Sequence, residues 1–292
     1  MARQLTRLVA FVALAASSLA ACASDRTAGV EPGTYTWTLE HDGTTRPYLV
    51  HVPDPGSEPM ALVVDLHGLA SSPESQDALT GMSALGAEEG FVVVQPAALG
   101  GIPVWDSSPG DQATVDDVGF VRALVAAVAE RVPVDERSVY VTGFSNGGGL
   151  AHRLACDAAD LVAAIGTVAG AFFFSVPCSP SRSVSVIAFQ GTEDATVPID
   201  GIGGLLPPVH QWAEDWAGRD DCTGEVVEAV AGDVTTLSWG ECAGDASVVL
   251  HLVDGGGHGW PGTRDGERAP RSTSSIDATR SIWDFFTRHP RR

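Results

Sequence analysis

The 292 residues contain no lysine, so all 17 basic side chains are arginine; that absence carries no functional conclusion. Positive charge of any kind is scarce. Against 37 aspartates and glutamates the formal net charge is −20, which argues against nucleic acid as a partner, because phosphate backbones repel such a chain. The five cysteines include no Cys-x-x-Cys pair, and without that ligand spacing no metal site is expected. Long apolar runs are missing too. The N-terminal stretch from Leu8 to Leu14 is too short to span a bilayer stably. No second linker interrupts the chain after its N-terminal region, so the remaining 270 or so residues are expected to form one α/β domain.

Arg3 and Arg7 precede the apolar run and small residues follow it, which is the layout of a secretory signal. The segment ends in Leu19-Ala20-Ala21-Cys22, which resembles a bacterial lipoprotein box, in which the cysteine becomes the lipidated first residue. The expected division is a signal peptide over residues 1–21, a polar, turn-rich tether over 22–33, and a folded domain over 34–292. Export to the cell envelope follows, either anchored to the outer side of the membrane through Cys22 or secreted. Loss of residues 1–21 leaves 15 basic against 37 acidic side chains, a charge of −22. The remaining Cys156, Cys178, Cys222 and Cys242 read as two disulfides in an exported chain. Three pairings are possible and sequence alone does not choose; Cys156 with Cys178 and Cys222 with Cys242 are favoured because each closes a short loop.

Alternating segments Tyr35 to Leu39 and Tyr48 to Val52 are expected as antiparallel edge strands, and Ala61 to His67 as a strand covered on both faces. The expected order continues with a helix around Ser75 to Glu89, a strand at Phe91 to Gln95, and a helix from about Asp116 to Arg131. The strand Val139 to Thr142 then leads directly into Gly143-Phe144-Ser145-Asn146-Gly147. Further strands are expected at Ala163 to Val168, Val184 to Phe189 and Val248 to Val253, with helices near Val209 to Trp216 and Ile276 to Arg288. Strands alternating with helices imply a mostly parallel central sheet with helices on both faces.

A Gly-x-Ser-x-Gly sequence occurs by chance in a chain with 33 glycines. Here it follows a β-branched strand and precedes a helix, which is the setting of a nucleophile elbow and makes Ser145 the candidate nucleophile. A serine hydroxyl needs a base within reach and an acid to orient that base, in the chain order Ser, Asp or Glu, His. Asp194 follows the strand ending at Phe189, with Glu193 and Asp200 as weaker candidates. His258 lies in a glycine-rich loop after Val253. His152 and His210 fall in expected helices, His251 in a strand and His289 near the terminus. The developing oxyanion needs two N–H donors, expected from Asn146 and from Leu69 in the loop after the first buried strand, with His67 shaping that loop. Trp105 and Trp260 are candidates for a substrate wall; Trp212 and Trp216, four apart on a helix, are expected in the core. Asp116 and Asp117 are assigned to the helix dipole.

Together LVVDLHG at 62–68, GFSNGGG at 143–149, GTEDATVP at 191–198 and GGGHGWPG at 255–262 resemble the polyhydroxybutyrate depolymerase-like and feruloyl esterase-like α/β-hydrolases. The resemblance implies an α/β-hydrolase fold, ester hydrolysis through an acyl-enzyme, and no cofactor. Feruloyl, short-chain acyl or hydroxybutyrate oligomer esters are the expected substrates, and a monomer the expected state. An acyltransferase on the same fold and a non-catalytic binding lipoprotein are the rival readings.

Overall fold

The computed structural model describes residues 30–54, 58–108, 113–173, 178–263 and 272–292. The signal peptide, Cys22 and most of the tether lie outside the described residues. The tether's end does not: Val30 packs against the core, and the Tyr35 hydroxyl donates to the Glu31 carbonyl.

The described elements are β1 (Gly33–His41), β2 (Thr44–Val52), β3 (Met60–Leu66), α1 (Pro73–Thr80), α2 (Met82–Glu89), β4 (Val92–Pro96), α3 (Asp117–Ala129) and β5 (Val134–Phe144). They continue with α4 (Asn146–Asp157), β6 (Ala164–Val168), β7 (Ser185–Gly191), α5 (Val209–Arg219), β8 (Val227–Ala231), β9 (Val234–Trp239), β10 (Val248–Val253) and α6 (Ala278–Thr287). The strands form one sheet in the order β1-β2-β4-β3-β5-β6-β7-β10-β9-β8. Its centre, from β4 to β10, is parallel, while β1, β2, β8 and β9 pair antiparallel at the two edges.

Apolar runs in the central strands supply both faces, because successive side chains point to opposite sides. Leu62 and Val64 join one core cluster with α3, α4 and α5, whereas Val63 joins the other with Phe91, Tyr140 and α6. The 75–89 helix is in fact two helices. Gly81 adopts φ 62° and ends α1, whose start is fixed by Ser72, which accepts from the Ser75 amide, and by Pro73. A left-handed residue there turns the chain where helical periodicity alone would continue it.

The hairpin β8–β9 was not among the sequence expectations. Its signal is present, since Gly232-Asp233 separates two alternating segments in the manner of a two-residue hairpin turn. Both disulfides pair locally, Cys156 with Cys178 and Cys222 with Cys242. Trp212 and Trp216 are buried as expected, and their indole N–H groups both face His152 Nδ1.

Candidate active site

Four loops leave the same edge of the parallel sheet, after β3, β5, β7 and β10, and bring the expected chemical groups to one end of the fold. Between β5 and α4, Ser145 has φ 54° and ψ −116°. A non-glycine residue there stores on the order of 1–3 kcal/mol of strain, which surrounding hydrogen bonds offset. The Ser145 amide donates to the Val168 carbonyl, and the Ser145 carbonyl accepts from Gly149 and Ala171.

The glycines are needed for close backbone approach. A Cβ at Gly143 would stand 2.4 Å from the Gly147 carbonyl carbon, and one at Gly147 would stand 2.2 Å from the Leu66 oxygen. The turn therefore packs directly against the loop after β3. In that loop a Cβ at Gly68 would lie 3.6 Å from Ser145 Cβ, so the loop expected to carry the second oxyanion donor adjoins the serine.

The loops after β7 and β10 run side by side. Thr192 N–H donates to the Val253 carbonyl, Glu193 N–H to the Gly256 carbonyl, and Gly255 N–H to the Thr192 hydroxyl. This brings His258 Nδ1 to 2.8 Å from Asp194 Oδ2. A carboxylate can only accept, so Nδ1 carries a hydrogen in this contact and leaves Nε2 as the nitrogen turned away from Asp194. Asp194 Oδ1 accepts from the amides of Thr196 and Val197, and Oδ2 accepts in addition from Gln190 Nε2. Burial alone would raise the Asp194 carboxyl; the His258 hydrogen bond and charge, with the two amides, outweigh it and hold the group below its usual value. The His258 ring packs 4.8 Å from the ring of Phe144, the residue before the nucleophile candidate.

Trp105 and Trp260 are not substrate walls. Trp105 is 2% exposed and its indole donates to the His67 carbonyl; Trp260 is 1% exposed and donates to Thr279 Oγ1. Position after a strand end brought both near the site, but a large apolar ring with one N–H is best served beneath the loops, where the ring is dry and its donor paired. Trp260 instead secures the His258 loop against α6. The exposed apolar groups beside the loop after β3 are Leu69, Ile102 and Val104, and the Ala70 amide donates to the Pro103 carbonyl, joining the two loops that carry them.

Asp116 does cap α3, accepting from the Gly119 amide. Asp117 lies in the first turn of α3, as the dipole assignment expects, and has a second role. It is buried, pairs with Arg46 Nη1 at 2.7 Å, and accepts from the Asp106 amide. Arg46 also donates to the Ala97 carbonyl, so this one ion pair holds both ends of the segment between β4 and Asp106. The signal for Arg46 was a cation at an inward position of an alternating strand. His152, His251 and His67 all lie away from Asp194's carboxylate; burial, with Arg219 and Arg153, pushes His152 down to about 3, and burial pushes His251 down to about 4.

Known proteins sharpen what this arrangement is. The family model described as esterase PHB depolymerase matches residues 47–201. The putative esterase NocK of Nocardia uniformis subsp. tsuyamanensis is 31% identical over 253 residues, covering 75% of this chain and 72% of that protein.

The chain belongs to the esterase PHB depolymerase family.

Feruloyl esterase B of Piromyces equi is 30% identical over 157 residues, but the match spans 49% of this chain and 29% of the relative. Among solved structures, the acetyl xylan esterase from Aspergillus awamori superposes with a TM-score of 0.67 at 14% identity, over 87% of this chain and 99% of that one. At that identity the likeness establishes the fold, which is the α/β-hydrolase fold expected from the strand and helix order. The family match runs through the loop after β3, the serine turn and Asp194, so three of the four loops described above fall within it.

Proposed function

We propose that Ser145, His258 and Asp194 form a catalytic triad that hydrolyses carboxylic esters through an acyl-enzyme. The observation that carries this reading is the 2.8 Å contact of His258 Nδ1 with Asp194 Oδ2, made by a ring packed on Phe144 beside the strained Ser145. Membership of an esterase family supports it.

In this reading Ser145 Oγ attacks the ester carbonyl carbon while His258 Nε2 takes its proton, and Asp194 holds the imidazole tautomer. The carbonyl oxygen becomes an oxyanion, met by the amide N–H of Asn146 and of Leu69. Asn146 is the first residue of α4, so its N–H has no intrahelical acceptor and is available to an anion. The alkoxide departs with the proton from His258, leaving acyl-Ser145. Water then gives a proton to His258 and attacks the acyl carbon; release of the acid returns the proton to Ser145.

Leu69, Ile102 and Val104 replace the two tryptophans as the surface for the apolar part of the ester, which suits feruloyl, short-chain acyl or hydroxybutyrate esters. The N-terminal signal pattern and the two disulfides support action outside the cytoplasm, with Cys22 as the tether to the membrane. No helix among the described residues is long and apolar enough to cross a membrane.

Labelling with a fluorophosphonate probe tests the nucleophile. The wild-type protein should be labelled and Ser145→Ala should not, with kcat on p-nitrophenyl butyrate falling at least about 10⁴-fold. Undiminished turnover by Ser145→Ala removes the reading.

A further inference from the structure

Asn146 is the only asparagine in the chain, and its side chain does not face the reacting atoms. Its Oδ1 accepts from the Trp105 amide at 2.7 Å and its Nδ2 donates to the Trp105 carbonyl at 3.1 Å. Both backbone groups of one residue in the loop after β4 are thus clamped by the first residue of α4. The Trp105 indole then donates to the His67 carbonyl at 2.8 Å, with the two rings 5.0 Å apart.

His67 passes the constraint on. Its Nε2 accepts from the Ala98 amide at 3.0 Å. That nitrogen therefore carries a lone pair, and Nδ1 carries the hydrogen that it donates to the Gly68 carbonyl at 2.7 Å. The Gly68 carbonyl and the Leu69 N–H belong to one planar peptide unit. Fixing the carbonyl fixes the direction of the N–H on the opposite side of that plane. Burial pushes the His67 imidazole down and Arg46 adds to this, against the hydrogen bond to Gly68, so the neutral tautomer that makes both contacts persists at neutral pH.

We infer that Asn146, Trp105 and His67 are positioning residues forming one relay, which locks the Leu69 peptide plane in register with the Asn146 amide and so sets the two oxyanion donors relative to each other. The inference rests on Ser145 being the nucleophile. It explains why a residue whose amide is needed at the oxyanion also has a side chain tied to the opposing loop: displacement of either donor would move the other. A group misplaced by an ångström at such a site loses much of its stabilisation, because the benefit depends on donors already aimed at the charge that develops.

The test compares Asn146→Ala, Trp105→Phe, the double variant, His67→Asn and His67→Ala with the wild type on p-nitrophenyl butyrate. Trp105→Phe removes the indole N–H while keeping an aromatic ring, and His67→Asn retains a donor near the position of Nδ1. Each of the first two should lower kcat about 10- to 100-fold with KM within about twofold, on the scale of a partly lost oxyanion donor. The double variant should be no slower than the slower single variant, because both cut one relay. His67→Asn should retain more kcat than His67→Ala. Unchanged kcat with only a lower melting temperature, a rise in KM alone, or losses that multiply in the double variant would each overturn the relay. If Asn146→Ala fails to fold, the kcat and KM of Trp105→Phe and the two His67 variants still decide the matter. Activity retained by Ser145→Ala is a separate outcome, which would remove the nucleophile reading itself.

Discussion

Asp194 and Asp65 are both buried aspartates on parallel strands or just beyond them, yet their surroundings push them in opposite directions. Burial raises Asp65 to about 6, only partly opposed by hydrogen bonds from Gln76, Gln95 and Thr80, and Asp77 adds to the rise. Its donors are neutral side chains from α1 and β4. Asp194 is less deeply buried and faces a smaller penalty, and it receives two backbone amides and the His258 ring, so it stays below its usual value. Burial alone therefore does not decide the charge of a carboxylate; its depth and the donors around it decide together. Asp194 is built to remain an anion beside an imidazole, and Asp65 to join β3, α1 and β4 at a polar node inside the core.

Asp194→Asn should break this comparison most sharply. An amide in place of the carboxylate presents a donor to His258 Nδ1 and favours the wrong tautomer, so kcat should fall about 10³- to 10⁴-fold while the circular-dichroism spectrum is unchanged. A loss under tenfold would mean that Asp194 does not orient the base. Asp65→Asn should leave kcat at pH 7.5 within about threefold, because nothing in its network touches Asp194, His258 or Ser145. Its effect belongs to stability.

Because the folded-state value of Asp65 lies above the unfolded one, the native protein binds the proton more tightly between about pH 4 and 6. This group's contribution is therefore fully present below the unfolded value and is lost as pH rises through about 6, by about 3 kcal/mol. Urea unfolding at pH 5 and pH 7.5 should show the wild type losing stability relative to Asp65→Asn across that interval. A parallel pair of curves would contradict it. The smallest effect is expected from Gln76→Leu, which removes one donor from the carboxylate: about 1–3 kcal/mol of destabilisation at pH 7.5 and less at pH 5, where Asp65 is protonated. Equal losses at both pH values would place the cost in packing instead.

The site was legible in proportion to how local its determinants are. The turn at Ser145 was legible from a strand and glycines within a few residues, and the structure adds the backbone contacts that make Gly143 and Gly147 necessary. The meeting of Asp194 and His258 was legible because a parallel strand delivers its following loop to one edge of the sheet, and the chain order of the groups narrowed the choice. The direction of a side chain in such a loop was not legible. Trp105 and Trp260 sit at the expected places in the chain but point inward. Arg46 and Asp117 were hidden for a related reason: they lie 71 residues apart, and nothing within either segment signals the partner.

By itself the sequence determined the alternation of strands and helices, the sharp turn around Ser145, the chain order of Ser145, Asp194 and His258, and the excess of negative charge. These follow from periodicity, glycine placement and composition, all of which are properties of short stretches of chain. Only the tertiary structure decided which aspartate meets a histidine and which meets only neutral side chains, that Trp105 is buried against the loop after β3, and that one buried ion pair holds the ends of the segment carrying it. Each of those depends on which strands become neighbours in the sheet, and hydrogen bonds between loops far apart in the chain exist only once that order has formed.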